Sequence, residues 1–138
     1  MTPLTARLQV QNKISLIRVE GRLTDESLTD CYEASRDYLN TTDARVSIVD
    51  LSSVSEFALS SGLIRSLAVR KLANADSKLL CFLVAPEGHA FGLCHMFQIC
   101  GDATRPLLQV VHTLAEVFAA IGIQSPFEPP AVWAPVIA

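Results

Sequence analysis

Residues 46–67, VSIVDLSSVSEFALSSGLIRSL, constrain this chain more than any other stretch. The run VSIVDL is apolar at most positions, as a strand covered by helices on both faces must be. From Ser60 the pattern changes. Leu63, Ile64, Leu67, Ala68 and Leu72 recur at helical spacing, with Arg65, Ser66, Val69 and Arg70 largely opposite. A buried strand, a loop and an amphipathic helix make one unit of a parallel sheet. The helix opens on Ser60-Ser61-Gly62, so a hydroxyl stands where the first backbone N–H groups lack partners. A serine there caps the helix and contributes about 1 kcal/mol. The same N–H groups and the helix dipole would also stabilise a phosphoryl group.

The remaining segments extend this unit on both sides. Leu8 and Val10 alternate with polar residues as a short strand does, and 14–19 reads as a second strand. The Asn12-Lys13 junction makes the two a hairpin, and Glu20-Gly21 is the expected turn after it. Thr24 and Asp25 are N-cap candidates for a helix carrying Leu28, Cys31, Tyr32, Ser35, Tyr38 and Leu39, which fades near Asn40-Thr41-Thr42. A strand over 79–84 is closed by Pro86, and a helix over 87–99 stops at Gly101. A strand over 107–111 follows, then a capping box at Thr113-Leu114-Ala115-Glu116 and a last helix ending at Gly122. The expected order is β-β-α-β-α-β-α-β-α: an α/β fold with a mostly parallel five-stranded sheet, an N-terminal hairpin and about four helices.

At 138 residues one domain is expected, over 1–124, followed by a proline-rich tail over 125–138. The tail, with Pro126, Pro129, Pro130 and Pro135, does not suit a regular helix. Its Phe127, Val132, Trp133, Val136 and Ile137 imply packing on its own domain or on a second copy, as a homodimer.

Half the residues are hydrophobic and 18% are charged, which suits a folded core. The net charge is −3 and Lys and Arg are scattered, so no cation cluster offers itself to nucleic acid. No apolar run approaches the roughly 20 residues that span a bilayer, and the N-terminus lacks a signal-peptide core. A cytoplasmic protein is expected. Cys31, Cys81, Cys94 and Cys100 sit in apolar patterns without CxxC spacing and read as free thiols. With His89, His95 and His112 they show no zinc-like pairing, so no metal is expected. No nucleophile–base–orienter set and no phosphate-binding glycine loop is present, so neither an enzyme nor a cofactor is expected.

The element order, with Asp50-Leu51-Ser52-Ser53-Val54 and Ser60-Ser61-Gly62-Leu63, resembles the STAS domain (sulfate transporter and anti-sigma factor antagonist) over roughly residues 7–123. In that family a strand ending in a D-L-S-x-V-like run leads to D-S-S-G-L or D-T-S-G-L. The first hydroxyl of that motif opens a helix. In bacterial anti-sigma factor antagonists a partner serine kinase phosphorylates it, which breaks their complex. By position, Ser60 corresponds to the phosphorylated residue, Ser61 and Gly62 to its successors, and Asp50 to the strand-end acid. Leu59 stands where the family has its aspartate, and the segment from Asp50 to the serines is one residue longer.

The resemblance implies a non-enzymatic regulatory module that docks a protein partner of the anti-sigma factor type. The alternative is a STAS-like protein that holds a small ligand or lipid in an apolar pocket, without a phosphoswitch. Asp50 also suits a receiver-type phosphoacceptor, but that chemistry needs an acidic pair after the first strand and a lysine after the last. Gln11-Asn12, Glu20-Gly21 and Val111-His112 stand there instead. Asp50 is therefore expected to accept N–H bonds in its own loop. In the third helix Ala90, Leu93, Cys94 and Phe97 form one buried face, leaving Met96, Ile99 and Gly92 on another. Met96 and Ile99, with Arg65, are the candidate partner contacts, unless that helix is buried all round.

Overall fold

The structure, a computed structural model, describes residues 5–11, 13–41, 45–70, 80–86, 88–101, 107–122 and 134–137. In chain order the elements are β1 (Thr5–Gln11), β2 (Ile14–Thr24), α1 (Asp25–Thr41), β3 (Val46–Ala58), α2 (Ser61–Ala68), β4 (Leu80–Val84), α3 (His89–Cys100), β5 (Leu108–Val111), α4 (Leu114–Ile121) and β6 (Ala134–Ile137). They form one sheet in the order β5-β4-β3-β2-β1-β6. The four strands β2 to β5 run parallel. β1 is antiparallel to β2, and β6 antiparallel to β1.

The α/β architecture is the expected one, with β3 between β4 and β2 near the middle of the sheet. The sheet has six strands rather than five. The extra strand comes from the tail, where Ala134–Ile137 adds to the free edge of β1 with Arg7 opposite Pro135. An edge strand tolerates a proline because an N–H on its open side has no ladder partner to lose. The rest of the tail, with Phe127, Val132 and Trp133, lies outside the described residues, as does Leu72.

α1, α2 and α4 start where their capping residues predict, whereas α3 follows Gly88 without a side-chain cap. Thr24 and Ser27 form a reciprocal pair at the start of α1: Ser27 N donates to Thr24 Oγ1 at 3.2 Å and Thr24 N to Ser27 Oγ at 2.8 Å. Thr113 Oγ1 accepts from Glu116 N at 3.2 Å at the start of α4. The Glu116 carboxylate reaches one residue further back than a standard box, to His112 N at 3.0 Å.

Two core layers cover the sheet. On one face Ile17, Val19, Leu23 and Leu51 pack with Cys31 of α1 and Ala90 and Cys94 of α3. On the other, Leu16, Ile48, Phe82 and Val84 pack against Val117 of α4. Ile48 and Phe82 are almost wholly buried, and such side chains each contribute about 1.5–3 kcal/mol. Among the described residues no helix is long and apolar enough to cross a membrane.

Two boundary expectations are corrected. The chain does not turn at Glu20-Gly21. β2 continues to Thr24, and Gly21, at φ 99°, sits where its register with β3 slips. Nor does β3 end at Asp50: it runs on to Ala58. From Arg18 to Glu20, β2 advances two residues while β3 advances three, from Asp50 to Ser53; from Gly21 to Arg22 it advances one while β3 advances two, from Val54 to Glu56. The long segment before the serines is thus taken up as bulges in a strand, not as a loop.

Candidate functional site

Ser60 is the N-cap of α2. Its backbone is extended, at φ −91° and ψ 146°, and its Oγ accepts from Leu63 N at 3.2 Å. Its carbonyl accepts from Ile64 N at 3.3 Å. Ser60, Ser61 and Gly62 are all exposed, while Ile64, Leu67 and Ala68 turn into the core. Gly62 has open space around the position of a Cβ, so packing does not demand glycine there.

The Ser60 N–H donates to Asp25 Oδ1 at 2.8 Å. Asp25 is the first residue of α1, 35 positions earlier, and nothing local in the sequence marked this pairing. The residue before Ser60 is Leu59, whose side chain packs against the core. A carboxylate therefore does stand beside Ser60, supplied by α1 rather than by its chain neighbour. α1 also holds the far end of α2: the Tyr32 hydroxyl donates to the Arg70 carbonyl at 3.0 Å, and the Arg70 guanidinium lies 5.2 Å from the Tyr32 ring centre.

Asp50 is apart from this site. It is 1% exposed inside β3, opposite Arg18 of β2. Its Oδ1 accepts from Ser52 N at 3.0 Å and Ser52 Oγ at 2.6 Å, and its Oδ2 faces Arg18 Nε at 3.3 Å. It accepts the N–H expected of it, but within a strand at the first register slip, where it secures the bulge.

α3 lies against α2, and both follow parallel strands, so both start at the same end of the sheet. Their ends touch: a Cβ on Gly101 would stand 2.8 Å from the Ala68 carbonyl oxygen. Ala90, Leu93 and Cys94 are buried and Met96 is half-buried, while Ile99 is 64% exposed. Val69, beyond α2, is equally exposed at 64%. Ile99 and Val69 thus mark the end of the helix pair away from Ser60. Arg65 is exposed between the two ends.

The thiols lie inside the fold. Burial pushes the Cys94 thiol up to about 12. Burial, with a smaller contribution from the charge of Asp30, pushes Cys31 to about 11. Phe91 stacks on His112 at 4.3 Å between ring centres and on His95 at 6.2 Å. Among the described residues no three His, Cys, Asp or Glu side chains group as a metal site.

No family model and no curated protein matches this chain. Solved structures do. An anti-sigma factor antagonist from Mycobacterium paratuberculosis superposes with a TM-score of 0.61 at 17% identity, over 87% of this chain and 95% of that one. The anti-sigma factor antagonist SpoIIAA in its unphosphorylated form gives 0.52 at 15% identity, over 87% of this chain and 99% of that one. This chain has the STAS fold. Within it, Ser60 opens the helix after the central strand, where the motif resemblance put it, and Asp25 is the neighbour that the motif did not reveal.

Proposed function

We propose that this STAS-like chain is a non-enzymatic regulatory module that docks a protein partner of the anti-sigma factor type around the start of α2, with Ser60 as its phosphorylation switch. The observation that carries the reading is the exposed Ser60 hydroxyl at the N-cap of α2, with its N–H held by Asp25. The two solved structures named above are of anti-sigma factor antagonists, one of them in an unphosphorylated form.

A phosphoryl group on Ser60 would add about −1.5 to −2 charges at neutral pH. The N–H groups of α2 would receive it. Asp25 would repel it, since its carboxylate already occupies the Ser60 N–H. The modification would then both charge the docking surface and loosen the clasp between α1 and α2. Ser61, Gly62 and Arg65 supply the exposed surface next to it.

The test is phosphate transfer and partner capture on the same protein. An anti-sigma factor kinase with ATP should add one phosphate to the wild type, located at Ser60 by intact mass and peptide mapping. Ser60→Asp should fold normally and lose the partner. If Ser60→Asp binds the partner as the wild type does and the kinase transfers nothing, the switch reading fails.

A further inference from the structure

A cavity of about 140 Å³ lies between the sheet and helices α1, α2 and α3. Folded cores hold few voids larger than a water molecule, whose share of liquid volume is about 30 Å³. The space is left by small side chains facing one another: Cys31 and Ser35 of α1, Ser47 of β3, Cys81 of β4 and Cys94 of α3. A leucine at any of these five places would fill much of it. No charged side chain lines it among the described residues.

On the sheet side the cavity wall carries one hydroxyl, that of Ser47. Ser47 is in register with Ser15 on one side and Cys81 on the other, so the three share a face of the sheet. Ser15 is fully buried, and its hydroxyl has no hydrogen-bond partner among the described residues. Ser15 stands one strand behind Ser47 and is not itself part of the cavity wall, so Ser47 is the sheet hydroxyl that an occupant would meet.

We propose that this cavity is a binding site for a small, uncharged, largely apolar molecule, about one aromatic ring in size, whose single hydroxyl group would lie at Ser47. An engineered apolar cavity of about 150 Å³ takes up benzene, so the volume suffices. An ion is disfavoured, because no countercharge lines the wall and burying an unpaired charge is very costly. The wall thiols of Cys31 and Cys94, raised by burial, stay neutral near pH 7. Leu59 belongs to the wall directly before Ser60, so an occupant touches the segment that presents the N-cap serine. The binding site itself does not depend on the docking reading.

Phenol is the probe, and benzoate its charged counterpart. Phenol at ten times its dissociation constant should raise Tm by about 5 °C and shift the methyl signals of Ile17, Val49, Leu51, Ile64 and Leu67. Benzoate should do neither. Cys94→Met fills the space from α3 and should abolish the phenol response while keeping the circular dichroism spectrum; Cys31→Met serves if that variant does not fold. The proposal is overturned if phenol leaves Tm and those methyl signals unchanged. It is equally overturned if benzoate matches phenol, or if a folded filled variant responds as the wild type does.

Discussion

Replacing Asp50 probes how the central strand tolerates its first bulge. Asp50→Ala removes the acceptor for Ser52 N and Ser52 Oγ, at 3.0 and 2.6 Å, and the anion facing Arg18 at 3.3 Å. A hydrogen bond to a charged group contributes about 1.5–3 kcal/mol, and breaking a fully buried pair costs about 3–5 kcal/mol. Two features place this site at the low end. The Arg18 side chain is 36% exposed and Ser52 is exposed, so both recover water when Asp50 is gone. The Arg18 contact is also long for a charge-assisted bond. Removing a buried carboxylate relieves its own desolvation as well. The expected loss is therefore about 2–3 kcal/mol, of which Arg18 accounts for about 1 kcal/mol or less. Asp50→Asn keeps an acceptor for Ser52 but presents no charge to Arg18, so it should lose roughly half as much. Urea unfolding of both variants, and of Arg18→Met alone and combined, gives the coupling energy directly. An alanine variant within about 0.5 kcal/mol of the wild type would refute the reasoning, as surface substitutions typically fall in that range.

Three further outcomes are expected. Ser60→Ala should lower stability by about 1 kcal/mol in the same urea assay, since it removes the acceptor for Leu63 N; an unchanged midpoint would mean that Ser61 replaces the cap. Gly101→Ala should destabilise by about 1–3 kcal/mol, because its Cβ would stand 2.8 Å from the Ala68 carbonyl oxygen, whereas Gly62→Ala, with open space around it, should be neutral or slightly stabilising. Stability should fall as pH rises above about 9: unfolded thiols ionise there, while Cys31 and Cys94 hold their protons to about 11 and about 12, so the unfolded state binds fewer protons across that window. Thermal melts between pH 8 and pH 11, compared with a Cys31→Ala/Cys94→Ala variant that loses this part of the slope, check it.

The element order up to Gly122, the α/β class and the caps at Thr24, Ser60 and Thr113 were all legible in the sequence. Periodicity and capping act within a few residues, so the chain states them locally. The apolar run at 46–51 likewise announced a strand deep in the sheet, because only a strand covered on both faces needs so few polar positions. Other features required distant segments to meet. The bulges of β3 follow from pairing with β2, and residue counts alone made the same segment look like a loop. Ala134–Ile137 is a strand because β1 leaves an open edge beside it. Asp25 reaches Ser60 from 35 residues away, and Ile99, a candidate partner contact by its apolar side chain, stands at the end of the helix pair away from Ser60. The cavity arises from five small side chains on four elements, each unremarkable in its own segment. Local propensity determines which elements form. Which side chains face one another is fixed only when sheet register and helix packing are satisfied together, and the neighbours of Ser60 and the cavity beneath it belong to that second class.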